Sequence, residues 1–227
     1  MASNTNNINS FVSVFVNNII QVSIGNISFN YNNELYENSA VKKWIKQIPF
    51  NKTVSIEKYI NKDHFKPIAD IVLDVEHKNG KKQRNTVIRF IPKIQKDEYE
   101  RKTEWLYLFL INGRIVKIGG TRTGIKGRIS SYLCGHHILE RGKTGDCSKT
   151  NGFIYNTFEF YLLSGCKIEM YGYELPLKQY EIEILGIKTM ITVQTYHAYE
   201  SSFLEDYKKK YGDFPVLCNN GDPEYRD

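Results

Sequence analysis

Apolar residues fall in short runs along the chain, and the runs change character near its middle. Phe11–Val16, Ile19–Ile24 and Ile27–Tyr31 are separated by Asn-Asn and Gly-Asn breaks, a pattern that predicts three short strands. Residues 1–10 are small and polar and read as a frayed end. Between Glu37 and Ile48, Val41, Trp44, Ile45 and Ile48 recur at helical spacing, and Pro49 stops the pattern, which predicts a short helix. Ile68–Val75 and Thr86–Ile91 are β-like runs joined by a basic tip, 77–84, with an Asn79-Gly80 turn.

From Trp105 the texture becomes that of an α+β unit. Trp105–Ile111 and Arg114–Ile118 read as a hairpin about Asn112-Gly113, and Gly119-Gly120 ends the second strand. Thr123 is placed to cap a helix running to about Leu133. Residues 134–152 read as an inserted polar loop, long enough to suggest a functional role. Phe153–Leu163 reads as a helix, and Lys167–Leu175 and Lys188–Thr195 as strands. His197–Tyr211 reads as a last helix closed by Gly212. The expected division is a β-rich region over 1–95, for recognition or dimerisation, and a second domain over 96–227.

Composition narrows the class. The 227 residues carry 41% hydrophobic side chains, enough for a packed core. No apolar run approaches the ~20 residues that cross a bilayer, and no basic region precedes an apolar run at the N-terminus. A soluble, cytoplasmic protein without a membrane role is expected. The net charge of +6 is compatible with a polyanionic partner without requiring one. The four cysteines form no C-x-x-C pair and read as reduced thiols.

Two helix faces carry charge where apolar residues dominate. Ile125, Arg128, Ile129 and Tyr132 share one side of the first helix, and an Arg in such a stripe calls for an anion. Glu200, Leu204, Tyr207 and Tyr211 share a side of the late helix. Glu205 lies about 140° away at ~100° per residue, so it cannot face the same point as Glu200. On the hairpin, whether Tyr107 and Lys117 share a face depends on the turn. A two-residue turn opposes 107 to 118, whereas a three-residue loop opposes Tyr107 to Lys117. A functional pairing of the two therefore predicts the three-residue loop.

Tyr107 in one strand, Lys117-Ile118-Gly119 in the next, then Arg128, Tyr132, Glu200 and Asn219 together resemble the GIY-YIG nuclease module. The resemblance covers roughly residues 104–220. The first name-giving tripeptide is here Trp105-Leu106-Tyr107, and Lys117 replaces the first Tyr of the second. That lysine is similar to a subgroup of short GIY-YIG type II restriction endonucleases. The resemblance implies a small α/β sandwich, a central antiparallel sheet with flanking helices, beside the N-terminal β-rich region. It implies Mg²⁺-dependent, or Mn²⁺-dependent, hydrolysis of double-stranded DNA by a homodimer. Glu200 would ligate the metal, Arg128 would hold the phosphate, and Tyr107 or Lys117 would act on the attacking water. Tyr132 would contact phosphate or water, Gly119 would support the site, and Asn219 would orient the helix end near Glu200.

Arg122, Lys126, Arg141, Lys143, Lys149 and Asn151 are the candidate DNA contacts around the inserted loop. Lys81, Lys82 and Arg84 are a second candidate backbone contact. Cys134, His136, His137 and Cys147 invite a zinc reading, but their spacing matches no standard finger. The two histidines read as solvated or core-satisfied. The competing functions are a nicking, repair or homing nuclease of the same kind, and a non-catalytic nucleic-acid-binding module.

Overall fold

The computed structural model describes residues 44–73, 88–136 and 147–218, together with the backbone of three strands near the N-terminus. Those strands, β1 (Phe11–Val16), β2 (Ile19–Ile24) and β3 (Ile27–Asn32), form an antiparallel meander in the order expected from their alternation. Of the helix expected over 37–48, the described part from Trp44 is not helical, and the rest lies outside the described residues. The basic tip 77–84 also lies outside them.

The body of the molecule is one six-stranded antiparallel sheet. Its strands are β4 (Val54–Ser55), β5 (Lys66–Leu73), β6 (Ile88–Pro92), β7 (Trp105–Ile111), β8 (Arg114–Thr121) and β9 (Ile168–Glu174), in the order β4-β8-β7-β9-β5-β6. A short helix α1 (Lys96–Glu100) precedes β7, and helices α2 (Gly124–Leu133) and α3 (Lys149–Leu163) follow β8. A separate hairpin, β10 (Lys178–Ile184) and β11 (Ile187–Val193), leads into helix α4 (Tyr196–Tyr211). The expected α+β class, a central antiparallel sheet with flanking helices, is what is observed. Because β4, β5 and β6 hydrogen-bond into the same sheet as β7–β9, the expected division at residue 95 runs through a single sheet.

All seven residues of β7 are buried, which explains their unbroken apolar run: β8 and β9 cover both edges, and helices cover both faces. On one face Tyr107, Phe109 and Ile111 pack with Ile125, Ile129 and Tyr132 of α2 and Ile154, Tyr155 and Phe158 of α3. On the other, Leu106, Leu108 and Leu110 pack against Tyr207 and its neighbours on α4. Each such side chain stabilises by about 1.5–3 kcal/mol when fully buried, so β7 is the mechanical centre of the fold.

One boundary and one cap differ from expectation. Helix α3 starts at Lys149, because the Ser148 side chain accepts from the Asn151 backbone N–H at 3.2 Å and caps it, so the inserted loop is shorter than 134–152. Thr123 occupies the cap position of α2 without a side-chain cap bond; its hydroxyl meets that of Thr121 at 3.1 Å instead. Gly212, at φ 93°, closes α4 as expected, its N–H donating to the Lys208 carbonyl.

Candidate active site

The hairpin turn is the two-residue kind. Asn112 and Gly113 both have positive φ, 49° and 72°, and Ile111 pairs with Arg114. The three-residue loop that the functional pairing called for is therefore absent. A β-bulge supplies the parity instead: Leu110 pairs with Ile115 but Phe109 with Lys117, leaving Val116 as the extra residue. Beyond the bulge Tyr107 stands opposite Gly119 and Lys117 opposite Phe109, so Tyr107 and Lys117 share a face after all.

Gly119 is where Tyr107 lies down. A Cβ at Gly119 would come within 2.4 Å of the Tyr107 ring and hydroxyl, so only glycine leaves room for it. The next residue, Gly120, points to the opposite face, where a Cβ would meet the Glu200 Oε2 at 2.9 Å and the Tyr196 ring at 2.8 Å. Two consecutive glycines thus bare both faces of the end of β8. Tyr107 closes on one side and the Glu200 carboxylate on the other.

Arg128 sits over this end on the Tyr107 side. Its Nε donates to the Tyr107 hydroxyl at 2.8 Å and an Nη to the Tyr132 hydroxyl at 3.0 Å, and the two hydroxyls lie 2.7 Å apart. The guanidinium also stacks over the Tyr132 ring at 4.5 Å. The α-helical i,i+4 spacing of Arg128 and Tyr132 is what sets this contact. Burial pushes both tyrosines up, Tyr107 well above the ordinary range, with the facing Arg128 pulling the other way. Burial alone would pull Arg128 down, but the hydroxyls of Tyr132 and Tyr107 outweigh it and hold it above its usual value. The cation is therefore permanent. Among the described residues, two of its five N–H groups are engaged, both by tyrosine oxygens.

Lys117 is 6% exposed, and its Nζ donates to the Leu217 carbonyl at 3.1 Å. Glu200, on α4, is half-buried, and no described side chain donates a hydrogen bond to it. Cys218 follows Leu217, and its thiol donates to the Ile118 carbonyl and accepts from the Ile118 N–H. Burial raises this thiol, while the Lys117 charge and the Ile118 backbone bond lower it.

The remaining predicted contacts fall in different settings. Lys126 is exposed and ion-paired with Glu100 at 2.8 Å, and Arg122 is exposed with Gln194 at 3.4 Å. Arg122 also lines a cavity of about 190 Å³ at the base of the β10–β11 hairpin, apart from the Arg128 cluster. Lys149 is half-buried in the first turn of α3. Asn151 is 9% exposed and donates to the Ser131 carbonyl at 2.8 Å, tying α3 to the end of α2, so its amide faces the protein. Arg141, Lys143, His137 and Asn219 lie outside the described residues.

Glu104 was not singled out from sequence. Its Oε2 accepts from the Thr195 N–H at 2.8 Å and the Thr195 hydroxyl at 3.0 Å, anchoring the start of α4 and so the position of Glu200. Cys218 and Gly120 were missed as well. No local pattern announces these roles, since each depends on a partner distant in sequence.

No protein-family model and no curated protein matches the chain. Among solved structures, it is similar to restriction endonuclease HPY188I in complex with product DNA, at 21% identity and a TM-score of 0.46, covering 75% of this chain and 89% of that one. It is also similar to a mutant of bacteriophage T4 EndoII, at 17% identity and a TM-score of 0.43, covering 68% of this chain and 96% of that one.

Chemically, β8 carries on one face a guanidinium held by tyrosine hydroxyls and the buried Lys117 side chain, and on the opposite face of its end a carboxylate free of described donors. Among the described residues no group of three or more His, Cys, Asp or Glu is placed to hold a metal.

Proposed function

We propose that the chain is a divalent-metal-dependent endonuclease of the GIY-YIG kind, a restriction-type enzyme that cuts both strands of duplex DNA at a defined sequence. The observation that carries this reading is the Arg128–Tyr107–Tyr132 triangle. A guanidinium whose described acceptors are neutral keeps its full charge for an anion, and its planar fork suits the two non-bridging oxygens of a phosphodiester.

The donor set also fits a hard cation. Mg²⁺ keeps several waters and takes one or two carboxylates plus phosphate oxygens, and one carboxylate is what the protein offers here. Glu200 would hold Mg²⁺ or Mn²⁺. Such an ion, when bound, stabilises the negative charge that develops on the leaving oxygen.

The chain's own residues divide the rest. Arg128 binds and orients the scissile phosphate. Tyr107 and Tyr132 fix Arg128 through their hydroxyls. Lys117, a cation on the same face, orients the attacking water. Arg122, Lys126 and the basic residues of the loop after α2 track the DNA backbone, with the N-terminal strands as a recognition element. Two copies are needed to cut both strands of a palindrome with one site each.

The test is incubation of the protein with phage-sized duplex DNA, with and without Mg²⁺, read on a gel. Discrete metal-dependent fragments are expected. Nicks without double-strand breaks point to a nicking enzyme, and binding without cleavage to a non-catalytic module.

A further inference from the structure

Two thiols bracket the loop that follows α2. Cys134 opens a short 3₁₀ turn, Cys134–His136, directly after that helix, and Cys147 immediately precedes Ser148, the cap of α3. The fold brings these two ends together. The Ser131 carbonyl accepts from the Cys134 thiol at 2.8 Å and from the Asn151 side-chain amide, in the first turn of α3, also at 2.8 Å. Cys134 and α3 therefore meet at one oxygen. Gly135 lies so close on α3 that a Cβ there would come within 2.3 Å of the Tyr155 Cβ. On the α3 side the Cys147 thiol donates to the Ser148 carbonyl at 3.5 Å, and the Cys134 side chain is its hydrogen-bonding neighbour. The two thiols differ in access: Cys134 is half-buried, whereas Cys147 is 4% exposed. The other two cysteines stand elsewhere, Cys166 buried between α3 and β9 and Cys218 bonded to Ile118.

We propose that Cys134 and Cys147 form a redox-active dithiol, which a small-molecule disulfide of the glutathione class oxidises to an intramolecular bond tying the end of α2 to the start of α3. The accessible partner reacts first. The Cys134 thiolate attacks one sulfur of the reagent and expels one thiolate, leaving a mixed disulfide. Cys147 then loses its proton to solvent and attacks the Cys134 sulfur, forming the protein S–S bond and expelling the second thiolate. The two cysteines together give up two protons and two electrons, and the reagent's disulfide becomes two thiols. Cys147 cannot take the first step, because its burial keeps the reagent away. Burial pushes the Cys147 thiol up to about 12, with Cys134 raising it further. Little thiolate is present there at neutral pH, so the second step is the slow one and quickens as pH rises. The new bond costs each thiol its hydrogen bond to a carbonyl and tethers ends that are already held together. Such a tether restricts the unfolded chain more than the folded one, so the oxidised protein should melt above the reduced form. Nothing in this chemistry depends on cleavage of DNA.

The test is incubation of the full chain in glutathione buffers of graded disulfide content, then acid quenching, alkylation in denaturant and peptide mass mapping. Cys134 and Cys147 are expected in one cross-linked species, lighter by two hydrogens and restored by dithiothreitol, with Cys166 and Cys218 alkylated. Cys147→Ser is expected to stop at a Cys134–glutathione adduct, and Cys134→Ser to leave Cys147 unmodified. Far-ultraviolet circular dichroism confirms that both variants are folded. The native dithiol should oxidise at least ~10-fold more favourably than the same chain in urea, where nothing holds the two ends together. A wild type whose four thiols all stay open to alkylation overturns the inference. So does a Cys134–Cys147 bond that forms equally well in urea, or stoichiometric bound zinc that protects both thiols.

Discussion

The Tyr107 and Tyr132 hydroxyls lie 2.7 Å apart, and both accept from the Arg128 guanidinium. The three groups close a triangle in which each oxygen has a donor. Tyr132→Phe removes one vertex and leaves a buried hydroxyl and one guanidinium N–H short of a partner. The expected loss is ~1–3 kcal/mol of stability. Because the guanidinium is then held only by the Tyr107 hydroxyl, cleavage should fall further than stability alone explains. Urea unfolding alongside single-turnover cleavage separates the two effects; equal stability with unchanged cleavage would sink the positioning role.

The glycine pair at the end of β8 should respond unequally to the same added methyl. At Gly119 the methyl would strike the fully buried Tyr107 ring, which Phe109 and Tyr132 wedge in place, so Gly119→Ala is expected to cost ~1–3 kcal/mol. At Gly120 it would meet the Glu200 carboxylate, the far end of a flexible side chain, and the Tyr196 ring. Gly120→Ala should keep most of the stability and displace the carboxylate. Thermal melts should therefore rank Gly119→Ala below Gly120→Ala, while both lose cleavage.

Much of this geometry was legible in the sequence, and the remainder was hidden for physical reasons. The strands from Phe11 to Asn32, the hairpin about Asn112-Gly113 and the stripe Ile125–Arg128–Ile129–Tyr132 follow from local period and turn chemistry. The bulge at Val116 does not. Nothing in Arg114-Ile-Val-Lys marks the extra residue, which is set by how β7 and β8 twist together, yet it alone puts Lys117 on the Tyr107 face. Strand β10 was missed although Lys178–Ile184 alternates polar and apolar residues with the period of a strand. Asn151 looked like a loop amide free for DNA; the Ser148 cap starts the helix at Lys149, four residues before the expected Phe153, and turns it inward.

Alkaline pH should unfold this protein through its buried tyrosines. Burial pushes Tyr207 up to about 12, and it also raises Tyr59, Tyr107, Tyr132 and Tyr161. In the unfolded chain they ionise near pH 10. A raised folded value means the stabilisation is complete below about pH 10 and drains away as pH climbs toward the folded values. Stability should be flat from pH 7 to 9 as far as these groups are concerned and fall steeply above 10. A spectrophotometric tyrosinate titration should show a delayed, cooperative step coincident with loss of circular dichroism. Gradual ionisation of all 16 tyrosines near pH 10 in a folded chain would contradict it.

Lys117 and Glu200 should separate function from stability. Lys117 is a buried cation tied to one carbonyl oxygen, with no described carboxylate at hand. Replacing such a charge with an apolar side chain of similar length is often neutral or stabilising, so Lys117→Met should leave the melting temperature unchanged or raised. Glu200→Gln keeps the shape beside Gly120 and removes only the charge, so its stability should stay within ~0.5 kcal/mol of wild type. Both variants should lose at least ~10²-fold in metal-dependent cleavage, the scale on which single charge-stabilising groups act. They differ in metal response: raising Mg²⁺ or substituting Mn²⁺ should partly rescue Glu200→Gln and do nothing for Lys117→Met. Duplex binding measured without metal should survive in both, since neither belongs to the backbone-tracking set. A Lys117→Met protein that melts early and still cuts would make the lysine a structural strut for the segment at Leu217 rather than the group acting on water.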